Sequence, residues 1–381
     1  MSLWTPTHES ECILPLGSRW TFLNEEQRNV YIWNSRPASV SPTGQVTKFK
    51  LLASLWVDDE HQSLETVMLY RWLRSMCTPD GSEPIRYLRD PTPPDHDFCL
   101  LRLAGDPRAG VPFPVANDQL QQFTPVAATP NIITAGHYIM AGIRQVQGRR
   151  FLKLGAFQTH HPVIATRIIS RSGTRTGGIP RNDATRASVR IRDLKCRVTG
   201  QPAPPGSRGY NFVGLEVAHI FPLGAVEQFR DAFTYSEHRV PLYNPLGIAT
   251  QPRVAHIDIP ENALLLRGDV HAQFDAYQFA FELSVESGQF AVPRIRLFEK
   301  YGAPSIPRNG LRRLKIATNP PDPNIPRSPN NAYDVSPFFL AQHFMTALLW
   351  HVAGNGVKGQ NDAIIPAVYD VDTVLLGHQE C

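Results

Sequence analysis

The sequence predicts an α+β protein with a strand-rich N-terminal region, a central unit of short strands and helices, and a C-terminal helix. Of its 381 residues, 34 are proline and 26 are glycine. Breakers at that density exclude a coiled coil or a bundle of long helices. Hydrophobic residues make up 42% of the chain and charged residues 19%, which is enough apolar surface for a folded core. At roughly 100–200 residues per domain, the length indicates two or three domains.

The N-terminal region, residues 1–160, contains the signals of several strands and one helix. Residues 46–56 are mostly apolar with some alternation, which is typical of a strand. Residues 63–76 carry apolar side chains at helical spacing. Residues 138–142 followed by 151–157 predict a β-hairpin. No catalytic motif is recognisable in this region.

The rest of the chain divides by composition. We predict a basic linker over 161–190, a compact domain over 191–300, a proline-rich loop over 301–335, and a helix with a tail over 336–381. Ser336 and Pro337 open this last segment, and a serine cap followed by proline in the first turn is typical of a helix start.

Positive charge is concentrated in one block. The net charge is only +4, and the first 100 residues hold nine Lys or Arg against 13 Asp or Glu, whereas residues 161–210 hold ten against two. Such a block can neutralise phosphates; a solvated linker is the alternative on charge alone. We predict nucleic-acid contacts from five members in or next to this block: Arg186, Arg190, Arg192, Lys195 and Arg197.

Cysteine usage and hydropathy indicate an intracellular protein of the cytoplasm or nucleus. No apolar run approaches the roughly 20 residues that cross a bilayer, and the first 20 residues lack the pattern of a secretory signal. The five cysteines are few, odd in number and far apart. We therefore expect no disulfide framework, no structural zinc and no membrane partner.

Two segments combine a strand pattern with a polar residue. The sequence LEVAHIFP at 215–222 is a short strand with His219 near its end, and NALLLR at 262–267 is an apolar strand that begins with Asn262. Taken singly, a strand histidine is more often a packed or surface residue than a base. An asparagine at a strand entrance is usually part of a turn.

A third segment, GDVHAQFD at 268–275, predicts a short helix capped by Asp269. His271 and Asp275 are four residues apart and therefore share one helix face. Such a pair more often forms a hydrogen bond than a metal site. The three segments in this order, however, seldom coincide by chance.

The pattern from Cys196 (CRVTG) through the three segments to Asp275 resembles the HNH nuclease family, in the subgroup widespread in fungal proteins. The resemblance implies a ββα-metal (HNH-like) domain, in which two antiparallel strands and a helix hold one divalent cation, Mg²⁺ or Mn²⁺. It also implies DNA as the partner.

The resemblance assigns roles to individual residues. His219 would be the general base that activates water, and Asn262 would hold the loop and orient the His219 ring. His271 would complete the catalytic set and, with Asp275, ligate the cation. Glu216 and Arg267 would have supporting roles, Arg267 toward a phosphate.

One departure from the family pattern concerns the cation. Many HNH nucleases carry an Asp or His ligand directly before the base, where this chain has Ala218. The remaining ligands would be His271, Asp275, water and substrate oxygens. Mg²⁺ tolerates a water-rich shell better than a tight zinc site does.

Three functions are compatible with the sequence. The first is a metal-dependent endonuclease, which the basic block favours. The second is an HNH-like scaffold that acts on a small-molecule substrate as a fungal biosynthetic enzyme. Ala218 and the acidic N-terminal region favour this alternative, because fold does not fix function. The third is a catalytically silent binding protein.

Overall fold

The computed structural model describes residues 13–15, 28–58, 62–79, 97–159, 183–207, 209–223, 257–282, 285–286, 289–290, 294–298, 306 and 335–352. Within these ranges the N-terminal elements are β1 (Ile13–Pro15), β2 (Val30–Asn34), β3 (Ser39–Val40), β4 (Val46–Leu55), α1 (Thr66–Met76), β5 (Cys77–Pro79), β6 (Phe98–Arg102), β7 (Thr124–Val126), β8 (Gly136–Val146), β9 (Arg149–Lys153) and β10 (Phe157–Thr159).

The later elements are α2 (Asp183–Asp193), β11 (Pro205–Gly206), β12 (Gly209–Tyr210), β13 (Leu215–His219), β14 (Ala263–Arg267), α3 (Gly268–Asp275), β15 (Phe279–Glu282), β16 (Val285–Glu286), β17 (Gln289–Phe290), β18 (Arg294–Leu297) and α4 (Pro337–His351). None of the helices in the described ranges is long and apolar enough to cross a membrane.

The N-terminal strands form one mixed sheet in the order β1-β4-β2-β8-β6-β7, with β3 on β4 and β9 on β8. Neighbours are antiparallel except β2 and β8, which run parallel. The predicted strand at 46–56 is β4, the predicted helix at 63–76 is α1, and the predicted hairpin is β8–β9. The second hairpin strand ends at Lys153, because Phe157 lies in β10 and pairs with β5.

Helix α1 packs on one face of this sheet through aromatic contacts. Tyr70 stacks on Phe98 with a centroid separation of 5.1 Å. Its hydroxyl donates to the carbonyl of Val126 and accepts from the N–H of Leu100, both at 2.7 Å. Burial raises the pKa of the Tyr70 hydroxyl well above its usual range. The hydroxyl thus satisfies two backbone groups while its ring fills the core.

The later strands include a two-stranded hairpin on which a helix packs. Strands β13 and β14 pair antiparallel, with Leu215 opposite Arg267 and His219 opposite Ala263. The predicted antiparallel pairing of these two segments is confirmed. Helix α3 follows β14 directly and contacts both strands.

Part of the predicted linker is helical. Residues 161–182 lie outside the described residues, but α2 occupies the end of the predicted linker and continues to Asp193. Its buried residues, Thr185, Val189 and Asp193, recur every four positions and form one narrow face. Because several arginines surround this narrow face, the sequence shows no clear helical periodicity of apolar residues here.

Asp193 ties α2 to β14. Its buried carboxylate accepts hydrogen bonds from Arg192 at 2.7 Å, from Arg197 at 3.1 Å and from the backbone N–H of Leu265 at 2.9 Å. A buried carboxylate is tolerated because these donors compensate its charge. The bond to Leu265 fixes the height of α2 along the hairpin.

The predicted C-terminal helix is confirmed, with Ser336 at the N-cap position and proline in the first turn. The Ser336 side chain makes no capping bond, however; its backbone N–H donates to the carbonyl of Glu261 at 2.9 Å. Helix α4 contributes side chains to two apolar cores. Phe339 packs with the hairpin cluster, and Phe344 and Leu348 pack with the sheet cluster. The N-terminal sheet and the hairpin unit therefore share this helix.

We predict that Asp193→Ala lowers the free energy of unfolding by about 3–5 kcal/mol, because it leaves two arginines without their buried counter-charge. Urea denaturation of the full chain measures this. Asp183→Ala is the matched control: Asp183 is 92% exposed and lies 3.6 Å from Arg186, so its loss should be close to neutral. Equal effects of the two substitutions would contradict the anchoring role of Asp193.

Candidate functional site

His219, the predicted base, is the last residue of β13 and forms a buried pair with Asp258. The Nε2 atom of His219 lies 3.0 Å from Oδ1 of Asp258, and the two side chains are 8% and 4% exposed. Asp258 precedes a short 3₁₀ turn at Pro260–Asn262. Asp258 was not among the site residues predicted from the sequence. Only its position four residues before Asn262 could have pointed to it.

The side-chain amide of Asn262 links the backbone on both sides of this pair. Its Nδ2 donates to the carbonyls of Phe221 at 2.9 Å and Ile257 at 2.8 Å, and its Oδ1 accepts from the N–H of Phe221 at 2.8 Å. Both amide protons and the carbonyl oxygen are thus used in a fully buried position. The amide therefore holds the backbone at Phe221, two residues after His219, and at Ile257, the residue before Asp258. These bonds are compatible with the loop-holding role expected of Asn262.

His271 contacts two other predicted site residues, Glu216 and Asp275. The Nδ1 atom of His271 lies 2.6 Å from Oε2 of Glu216, and its Nε2 lies 3.5 Å from Oδ1 of Asp275. A carboxylate only accepts, so an ionised Glu216 keeps the ring proton on Nδ1. The lone pair of a neutral His271 is then on Nε2, which faces Asp275.

His271 and Asp275 fit as two ligands of one small divalent cation. Ligand atoms about 2.0–2.2 Å from a shared ion lie within about 3–4 Å of each other, and the measured separation is 3.5 Å. Among the residues that the structure describes, no group of three or more His, Cys, Asp or Glu side chains could hold a metal ion. A two-donor set leaves positions for water and substrate oxygens around such an ion.

Ala218 places no donor at this site. Side chains alternate along a strand, so Ala218 and Glu216 share one face of β13. Ala218 is fully buried and lies opposite Leu264. The carboxylate on this face therefore belongs to Glu216, which contacts Nδ1 of His271, the ring nitrogen that does not face Asp275.

Arg267 is engaged by its neighbour Asp269. The guanidinium donates to both carboxylate oxygens, the longer bond being 2.6 Å. This hydrogen bonding raises the pKa of Arg267. The prediction that Asp269 caps α3 is wrong, because the helix begins at Gly268 and Arg267 holds the N-cap position. Asp269 lies in the first turn, where its charge is favourable toward the helix dipole.

Two of the five predicted nucleic-acid contacts are buried. Arg192, 5% exposed, donates to Asp193 and to the carbonyls of Pro260 and Ala263. Arg197 is mostly buried and also donates to Asp193. Their placement corrects the prediction for these two: they hold α2 against the hairpin and do not present a free face to phosphate.

The other three predicted contacts are at least partly exposed. Arg186 is partly exposed beside Asp183, and Lys195 is exposed. The Arg190 guanidinium lies over the ring of Phe212, 5.0 Å from its centroid. The phosphate contacts predicted for these residues stay predictions.

Comparison with known protein families places an HNH nuclease domain in this part of the chain. The family model of the HNH endonucleases matches residues 196–282, from the turn after α2 to the end of β15. The match spans the hairpin, α3, the His219–Asp258 pair and the contacts of His271. The resemblance to HNH nucleases is thus confirmed for this domain, whereas the fungal subgroup stays a prediction. No curated protein and no solved structure matches the chain.

We predict that Asn262→Asp lowers the free energy of unfolding by about 1–3 kcal/mol, because a carboxylate cannot donate to the two buried carbonyls. Thermal or urea unfolding measures the loss. Asn211→Asp is the matched control: Asn211 is exposed and its side-chain oxygen accepts from the N–H of Val213 at 3.0 Å, a bond that aspartate keeps. A neutral Asn262→Asp would show that the amide donors are dispensable.

Proposed function

We propose that the protein is a divalent-cation-dependent endonuclease that hydrolyses phosphodiester bonds in DNA, with His219 as the general base. The observation that carries the proposal is the HNH family match over two paired strands and a helix, with His219 at the end of β13, Asn262 directly before β14 and His271 in α3. This order of elements is compatible with the ββα-metal arrangement.

His219 is suited to take a proton from water. A neutral imidazole is a base near physiological pH. The ring is held at the end of β13 by Asp258, and the chain around it is fixed by Asn262. A base that is already oriented loses little entropy when substrate binds.

His271 and Asp275 would hold the cation. When bound, the cation would stabilise the charge that develops on the scissile phosphate. Glu216 accepts the Nδ1–H of His271 and so orients the ring and strengthens its donor nitrogen. This is the supporting role that we assign to Glu216.

DNA binding would use the exposed cations of α2 and the turn after it. Helix α2 packs against β13 and β14, so Arg186, Arg190 and Lys195 lie on elements adjoining the hairpin. Contacts from lysine and arginine to phosphates give affinity that is independent of sequence and falls with salt.

Two observations favour a second candidate, a small-molecule enzyme on an HNH scaffold. Ala218 supplies no ligand, and the N-terminal sheet and the hairpin unit both pack on α4. Such a sheet could shape a substrate pocket, since one fold hosts many activities. A cleavage assay separates the two candidates.

We predict that His219→Ala lowers DNA cleavage by the purified protein about 10²–10⁴-fold with Mg²⁺ or Mn²⁺, because a general base contributes that much. DNA affinity should stay nearly unchanged.

His271→Ala should instead raise the cation concentration needed for half-maximal cleavage. Ala218→Asp should tighten cation binding, measured by calorimetry, and Ala218→Asn is its isosteric control with a weaker donor.

If the wild-type protein cuts neither DNA nor RNA with either cation, and Ala218→Asp restores no cleavage, the endonuclease proposal is wrong. The small-molecule enzyme or the silent binding protein then takes its place.

We predict that replacing Arg186, Arg190 and Lys195 together by alanine weakens DNA binding about equally for all sequences. The slope of log K against log salt should flatten by up to about 0.9 for each phosphate that the variant no longer neutralises. Fluorescence anisotropy at several salt concentrations measures both. The control removes three exposed cations of β9, Arg149, Arg150 and Lys153, and should leave the slope nearly unchanged. Equal slopes in the two variants would exclude a specific role for α2.

A further inference from the structure

We propose that Asp258 is a positioning residue for His219: it accepts the Nε2–H of the imidazole and so leaves Nδ1 as the nitrogen that takes the proton from water. This inference rests on the proposed function, because it specifies how the base of the proposed nuclease is oriented. The family match carries no statement about Asp258.

His219 and Asp258 have a defined hydrogen-bonding geometry. The separation of 3.0 Å between His219 Nε2 and Asp258 Oδ1 is that of a hydrogen bond. An ionised carboxylate has no proton to donate, so the shared proton belongs to Nε2. A neutral imidazole carries one ring proton, which makes Nδ1 its basic nitrogen.

The His219–Asp258 pair is buried. Both side chains are almost fully enclosed, where a carboxylate without a donor would be strongly unfavourable. The ring that donates to Asp258 is the one to which the family resemblance assigns the role of base. After proton transfer, the adjacent carboxylate stabilises the imidazolium that forms.

Asp258 is itself held in place by hydrogen bonds to the backbone around it. Its backbone carbonyl accepts a hydrogen bond from the Thr185 hydroxyl at 2.8 Å. The preceding carbonyl, of Ile257, accepts from Asn262 at 2.8 Å. The carboxylate is thus fixed from α2 on one side and from the start of β14 on the other, as expected of a group that orients another.

An alternative role for the pair is purely structural, an ion pair that stabilises the fold. The two roles differ in what Asp258→Asn changes. Asparagine keeps the size of the side chain but can present an N–H to Nε2, which would move the ring proton to Nδ1. A structural role predicts loss of stability alone.

The experiment combines kinetics with ¹⁵N NMR of the full-length protein labelled at histidine, in which the ring-nitrogen shifts show which nitrogen carries the proton. For the wild type we expect the His219 proton on Nε2. For Asp258→Asn we expect a shift of that proton toward Nδ1 and a fall in kcat of about 10²–10⁴-fold, with KM for DNA nearly unchanged.

Thr185→Val is the matched control, because it removes the anchor on the backbone of Asp258 and leaves the carboxylate. It should lower the melting temperature while the proton stays on Nε2. A proton on Nδ1 in the wild type overturns the proposal, as does wild-type kcat in Asp258→Asn. A wild type that cuts no nucleic acid but shows the Nε2 proton, displaced in Asp258→Asn, supports the positioning role and rejects the nuclease function instead.

Discussion

The side-chain amide of Asn262 is the constraint on which the arrangement of the site depends. Its three hydrogen bonds join the chain that leaves β13 to the chain that enters β14. The strands alone would set the register of His219 but not the position of Asp258, which lies beyond the end of the ladder. Because the amide is buried and fully satisfied, few alternative conformations of these two segments can satisfy the same groups.

Buried carboxylates extend this constraint to helix α2. The Asp193 carboxylate accepts hydrogen bonds from two guanidinium groups and from a strand N–H. The Asp258 carboxylate contacts His219, and the backbone carbonyl of Asp258 accepts from Thr185. Each carboxylate is tolerated only with its full set of donors, so α2 can dock on the hairpin in one register. A helix rich in arginine thereby becomes part of the support of the site.

Strand β13 carries two chemically distinct pairs. His219 at its end contacts Asp258, and Glu216 near its start contacts His271. In both pairs one ring nitrogen of an imidazole lies within hydrogen-bonding distance of a carboxylate. In the function proposed for this domain, this contact would orient a base in one pair and a metal ligand in the other.

Local sequence by itself predicted β4, α1, the β8–β9 hairpin and α4, because periodicity of apolar residues sets which face of an element is buried. The resemblance carried by the motif implied the β13–β14 pair, and the roles that it assigns to His219, Asn262 and His271 stay predictions. Tertiary structure alone decided that α2 is a helix, that α4 joins two cores, and that Arg192 serves the interior. It also supplied Asp258, 39 residues from His219 along the chain. A buried charge takes whichever partner the fold brings within hydrogen-bonding distance, and neither composition nor local periodicity records that distance.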